Sequence, residues 1–250
     1  MNILRRNPLY STETKRVNNI LKHKETMKKL KLFSILVCCF AALSFMSCNS
    51  SNTPSWTPLT PAQKASCFTQ VTGSHTGKMI YVSDEHKTST SDVSDTTSVN
   101  WNIGSGVGTD TTMTVTNFPI KVLAKYIPEE KVSKALASYE IPTSVKSAIY
   151  FHQITPTPAF LIKPEIVKCK VNYDGADHVI SLYFYQSFSV YNITSYGFYN
   201  SAQKALNMNI LFGGYKIDAK DNDTSTPKTL TVKADGRTYQ YAPLTFIEQK

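Results

Sequence analysis

Acid–base or metal chemistry would fall first to the histidines, and His23, His75, His86, His152 and His178 include no two at ligand spacing on one element. Asp84-Glu85-His86 is the one compact group mixing histidine with carboxylates. It has no further ligand in reach along the chain, and polar residues at the end of a strand are ordinarily solvated. Asp218, Asp221 and Asp223 lie close enough to attract calcium, but the glycine and closing glutamate of a calcium loop are missing. Gly104, Gly106 and Gly108 have the look of a phosphate-binding loop, yet a strand-like segment follows them instead of a helix, and the lysine is absent. Serine, histidine and aspartate all occur, but a triad is recognised by geometry and no Gly-x-Ser-x-Gly elbow is present. No carboxylate pair singles itself out for glycoside cleavage either. The chain therefore shows no catalytic residue, no metal set and no cofactor motif. The expected protein is a non-enzymatic binder, with a hydrolase acting on cell-wall or dietary polymer as the alternative and a purely structural role as a third.

One segment is chemically distinctive in another way. Ser181 to Asn200 holds eight aromatic residues and no charge. On a strand, Ile180, Leu182, Phe184 and Phe188 share the face a core needs, which leaves Tyr183 and Tyr185 on the other. With Tyr191, Tyr196 and Tyr199, expected in the loop that follows, they are candidates for an aromatic surface that binds a sugar ring or a partner protein, because tyrosine joins apolar area to a polar tip. The competing expectation is that both faces are covered, by a second sheet and by helices.

The remaining chemistry belongs to cysteine. Met27-Lys28-Lys29-Leu30-Lys31 is a basic start, and Leu32 to Phe45 is an uncharged run of 14 residues. A membrane-crossing helix needs about 20 apolar residues, so this reads as an export signal spanning 27–47. It ends in Phe45-Met46-Ser47-Cys48, which resembles the lipobox of bacterial lipoproteins, although Phe45 and Met46 depart from its usual leucine and small residue. The resemblance implies that a diacylglyceryl group joins the Cys48 thiol, that the chain is cut just before it, and that lipid ties the protein to a membrane. Asn49 is not the aspartate that holds such proteins at the inner membrane, and Ser50 to Thr53 lack the acidic residues that resemble surface-export signals. The expected address is the outer membrane, periplasmic face. Residues 1–26 have no apolar periodicity, and translation is expected to start at Met27.

Charge follows from that cut. Of 27 basic and 18 acidic residues, nine and two precede Cys48, so the net charge drops from +9 to +2. A basic stripe is the mark of nucleic-acid binding, and with most of the positive charge in the leader, nucleic acid is rejected as a partner. Beyond Cys48 stand Cys67 and Cys169, which either pair in an oxidising compartment or pack as small apolar side chains.

Residues 48–59 are rich in Ser, Asn, Thr and Pro and read as a tether. Residues 60–250 read as one mostly β domain. Thr60-Pro61 is a helix-start signal. Strands are expected over residues 78–82, 98–103 and 111–118, with an exposed loop at 87–97. Val122, Leu123, Tyr126 and Ile127, then Val132, Leu136 and Tyr139, have helical spacing, with Pro128-Glu129-Glu130 opening the second helix. Further strands are expected over 148–154, 160–173, 177–189, 206–218, 229–234 and 237–247, with Asp174-Gly175 and Asp235-Gly236 as tight turns. The fold class is mainly β, with a short N-terminal helix and a two-helix insert, as an antiparallel β-sandwich or partly open barrel. Val71-Thr-Gly-Ser-His-Thr-Gly-Lys-Met-Ile-Tyr81, Thr116-Asn-Phe-Pro-Ile-Lys-Val-Leu123 and Tyr241-Ala-Pro-Leu-Thr-Phe246 resemble segments of an uncharacterised lipoprotein family of the Bacteroidota, a domain of unknown function. That resemblance implies an envelope location and no assigned activity.

Overall fold

The computed structural model describes residues 58–82, 94–106, 111–185, 194–220, 223–234 and 237–249. The lipidation candidate Cys48, the aromatic candidate Tyr191, the Asp84-Glu85-His86 group and Asp221 lie outside these residues.

Helix α1, Pro61–Val71, begins as its sequence dictates. The Thr60 hydroxyl accepts from the Gln63 amide at 3.3 Å while the Gln63 side chain accepts from the Thr60 amide at 2.9 Å, a reciprocal cap with proline in the first turn. Three strands follow, β1 (Gly73–Val82), β2 (Ser94–Ser105) and β3 (Thr111–Thr116). Residues 94–97, expected in a loop, belong to β2, where Ser94 to Thr97 find partners in Ile80, Tyr81, Val82 and Met79 of β1. Two short helices come next, α2 (Lys121–Ala124) and α3 (Glu130–Ala137), and then β4 (Val145–Gln153) and β5 (Ala159–Pro164). The chain continues through β6 (Val167–Tyr173), β7 (Ala176–Phe184), β8 (Tyr196–Asn200) and β9 (Ala205–Ile217), then the small hairpin β10 (Val232–Ala234) and β11 (Arg237–Tyr239), and ends in β12 (Ala242–Glu248).

Every pairing among the described residues is antiparallel. The order β12-β1-β2-β3-β4-β5-β8-β9, with β12 also paired to β9, closes eight strands into a barrel, and β7 and β6 continue outward from β9. Closure removes the exposed edges of the eight barrel strands, and β6 is left as the edge of the extension. Met79, Trp101, Ile103, Met113, Phe160, Phe212 and Phe246 fill the interior, each at most 2% exposed. A side chain of that size contributes about 1.5–3 kcal/mol on burial.

Two departures from the expected strands have physical causes. The single strand expected over 160–173 is broken after Pro164. Ser147 pairs with Pro164 and the Glu165 amide still donates to the Lys146 carbonyl at 2.8 Å, but β4 begins at Val145 and offers no more chain to pair with. The chain turns at Ile166 and takes β7 as its new partner. The second departure is β8, expected as loop. β9 pairs with β8 over Ala205–Asn209 and with β7 over Phe212–Ile217. The Tyr185 amide donates to the Leu211 carbonyl at 2.9 Å, and the fully buried Ser195 takes the next place: its hydroxyl donates to Tyr185 O at 2.8 Å and accepts from the Leu211 amide at 3.0 Å. β7 and β8 are thus two halves of one strand lying along β9, with the intervening residues inserted between Tyr185 and Ser195.

Candidate functional site

The interrupted strand decides which aromatic residues share a surface. Ile180, Leu182 and Phe184 are in the core, so Tyr183 and Tyr185 face out of the sheet. On β8 it is Gly197 that faces inward: a Cβ there would sit 2.5 Å from the Phe160 ring and 3.0 Å from Met208. Tyr196 and Phe198 therefore face outward and Tyr199 packs against the core. Tyr183, Tyr185, Tyr196 and Phe198 form one outward row, all partly exposed. Of the sequence candidates, Tyr183, Tyr185 and Tyr196 are brought together. Tyr199 is turned away, because its position has the parity of Gly197.

The row crosses a second one at Tyr196. Tyr196 registers with Leu161 on one side and Asn209 on the other; Leu161 registers with Tyr150, and Asn209 with Thr245. Tyr150 is 51% exposed, one of three strongly exposed large apolar residues among those described. Asn209 is 5% exposed and its Oδ1 has no hydrogen-bond partner among the described residues. Such a buried, unpaired acceptor costs on the order of 1–3 kcal/mol.

At the far end of the row, β9 carries a bulge at Gly213, where the register to β7 jumps between Tyr183 and Phe184. The Tyr185 ring lies over Gly213, where a Cβ would stand 3.0 Å from it. Tyr185 meets Tyr241 edge to face at 6.2 Å, and Tyr241 meets Tyr239 at 5.8 Å. Burial pushes the Tyr241 hydroxyl above its usual value, with Tyr239 and Tyr185 adding to the shift. Tyr183 has the Lys216 amine 5.3 Å from its ring centre. The Lys216 side chain is almost wholly buried, and its amine is held by the Asp223 carbonyl at 2.9 Å and carboxylate at 3.3 Å. Sequence reading missed Phe198, Tyr239 and Tyr241, although Tyr196-Gly-Phe198 and Tyr239-Gln-Tyr241 both show the strand period of two.

Elsewhere several chemistry-bearing residues make contacts that tie the fold together. His75 Nδ1 is 3.0 Å from Glu248 Oε1 and its Nε2 is 2.9 Å from the Val71 carbonyl, while Glu248 Oε2 accepts from the Leu206 amide at 2.7 Å. This ties the end of α1 to β1, β12 and β9. Asp218 accepts from the Val179 amide at 2.8 Å and binds His178 at 2.7 Å, and these bonds, the amide's first, hold its carboxyl below the usual range. With Asp223 bound to Lys216 and Ser225, the two described members of the Asp218, Asp221 and Asp223 group are each engaged by protein partners. Among the described residues no group of three His, Cys, Asp or Glu is placed to hold a metal ion. Cys67 and Cys169 are free, buried thiols. Cys67 Sγ lies 3.8 Å from the Gln153 carbonyl, and burial pushes the Cys169 thiol up to about 11. A groove of about 600 Å³ runs between α3 and β6, with Lys131, Lys134, Tyr139, Ile141, Lys170 and Tyr173 among its walls.

The family described as Domain of unknown function (DUF4840) matches residues 70–217, more than half of the chain. The chain belongs to that family. The match runs from the last turn of α1 through β9 and takes in Tyr183, Tyr185, Tyr196 and Phe198, whereas Tyr239, Tyr241 and the closing strand β12 lie beyond it. No curated protein and no solved structure matches the chain.

Proposed function

We propose that this protein is a non-enzymatic lipoprotein of the cell envelope, held at the periplasmic face of the outer membrane by lipid on Cys48, and that its barrel binds a glycan or an envelope protein through the outward aromatic row. The single observation that carries the binding reading is the alignment of Tyr183, Tyr185, Tyr196 and Phe198 on one outer face across a break in the chain. Partly exposed aromatics in register give a ligand flat apolar area and hydroxyl tips. The envelope reading rests on the basic start, the short uncharged run and Cys48 at its end. Two acyl chains on one cysteine suffice for stable anchoring where a single chain does not.

One experiment with two arms tests this. Cells producing the full chain are fed labelled palmitate, and the purified protein is screened against glycan and envelope-protein arrays. Label is expected in the wild type and absent from Cys48→Ala. Array binding is expected to fall at least about tenfold in a Tyr185→Ala, Tyr196→Ala, Phe198→Ala triple variant that melts cooperatively. Equal label in the Cys48→Ala protein ends the anchoring claim, and undiminished array binding by the folded triple variant ends the claim for this face.

A further inference from the structure

Among the described residues, β6 is the one strand of the large sheet with a single strand neighbour. Which of its backbone groups are free follows from the hairpin that joins it to β7. Asp174 and Gly175 form a two-residue turn with φ of 53° and 77°, the conformation whose closing pair, Tyr173 and Ala176, exchanges both hydrogen bonds. Alternation then makes Val171–His178, Cys169–Ile180 and Val167–Leu182 the bonded pairs. Lys170 and Asn172 fall between them, so their amides and carbonyls point away from β7 along the outer edge. The Asn172 side chain reaching Asp177 at 2.7 Å across its pair is what a non-bonded, closely spaced pair permits.

The groove described above runs beside this edge, with Lys170 to Tyr173 as one wall and Tyr139 and Ile141 in the other. Ile141, 59% exposed, is the most exposed large apolar side chain among the described residues. Charge on the strand is one-sided. Lys168 and Lys170 project from its exposed face, while Val167, Cys169 and Val171 enter the core. Lys131 and Lys134 are neutralised by Asp174 and Glu130, whereas Lys170 makes no ion pair among the described residues.

We propose that the β6 edge accepts an extended segment of another protein as an added strand. The segment carries acidic side chains at the alternate positions that lie beside Lys170, and apolar side chains at the positions between, which face Tyr139 and Ile141. Main-chain bonds to Lys170 and Asn172 supply the pairing, and the side-chain alternation supplies the selectivity. A second copy of this chain is disfavoured, because two β6 edges brought together would oppose lysine to lysine, and like charges directly across a sheet repel. This surface stands apart from the aromatic row and does not depend on it.

The test uses the full chain, isotope-labelled, and a fluorescent peptide of alternating valine and glutamate, seven residues long to match β6. A valine–lysine peptide and a backbone N-methylated valine–glutamate peptide are the controls. Peptide is expected to slow exchange of the Lys170 and Asn172 amide protons and to leave those of Cys169 and Val171 unchanged. Lys170→Glu is expected to weaken binding by about tenfold. Asn172→Pro places a proline where the amide faces off the sheet, which strands tolerate; it is expected to abolish binding and to leave the melting curve intact. No slowing of exchange at millimolar peptide overturns the proposal. So do equal binding of the valine–lysine or N-methylated peptide, wild-type affinity in both variants, or dimerisation of the chain through this edge without peptide.

Discussion

Burial holds the His152 imidazole below its ordinary value of 6.5. The side chain lies half-buried near the end of β4, where the neutral ring is accommodated and a charged one would lose its hydration. The sign of the pH effect follows directly. In the unfolded chain the ring takes up a proton as pH falls through 6.5, but in the folded chain it does so only at lower pH. Stability is therefore fully present above that value and declines as pH falls toward the folded one. Urea melts of the wild type are expected to lose midpoint between about pH 7.5 and about pH 5.5. His152→Gln should flatten that slope, and parallel slopes for the two proteins would show that the burial has no energetic consequence. The outer row is also a matter of single residues. Its tyrosines were legible as candidates because eight aromatics in an uncharged stretch are conspicuous. Its membership was not legible, because it depends on Gly197 lying against Phe160, a contact made by residues far apart in sequence.

The helix pair shows what holds an inserted element to a barrel. Val132 and Leu136 of α3 are buried against the sheet extension, and Glu129, just before α3, reaches across to β9. Its carboxylate accepts from the Tyr215 hydroxyl at 2.8 Å and from Lys228 at 2.5 Å. Burial pushes the Glu129 carboxyl up, but those bonds and the Lys228 charge outweigh it and leave the group below the usual range. The Tyr215 hydroxyl, on a ring only 1% exposed, is pushed far up by burial and then by Glu129. Glu129→Ala strands that hydroxyl without an acceptor, so the expected loss is about 1–3 kcal/mol. Tyr215→Phe should cost less, and in the Tyr215→Phe background Glu129→Ala should lose most of its effect. Additive losses in calorimetry would mean that the bond is not what anchors the insert. Of the elements themselves, the start of α1 was legible because its cap is local, set by Thr60 and Pro61, with Gln63 completing it. α3 was legible from spacing and from the glutamates ahead of it. β8 was not, since Gly197 and the polar residues before it imitate a loop, and only Ser195 bridging Tyr185 and Leu211 shows the strand continuing.

For the whole molecule, antiparallel pairing was within reach of the sequence, because alternation and Asp-Gly turns are local signals, but the strand count was not: nine strands were expected and twelve are described, since the runs 160–173 and 237–247 each split in two and β8 read as loop. Closure was not, because it is made by one strand near the end of the described chain whose two neighbours lie far apart along it. β12 pairs with β1 through Thr245 to Glu248 and with β9 through Ala242 to Ile247. Ala242, Leu244 and Phe246 are wholly buried between them. The family match stops at residue 217, before this strand. A chain ended there keeps every matched residue but leaves two long edges, on β1 and β9, and opens the interior around Met79, Trp101 and Met208. Each of the three lost core side chains weakens the fold through the burial forgone and the cavity left, and the loss of Leu244 or Phe246 alone corresponds to about 2–5 kcal/mol. That is comparable to the whole stability of a domain, about 5–15 kcal/mol, and unpaired edges next to exposed apolar surface promote association. The truncated chain is therefore expected to elute as aggregate and to lose the near-ultraviolet circular dichroism of packed aromatics. Adding back residues 237–250 as a separate peptide should restore part of that signal if pairing with both edges is what closes the barrel. A truncated chain that stays monomeric and melts cooperatively would mean that the matched segment closes without β12, and that β12 decorates a fold it does not hold together.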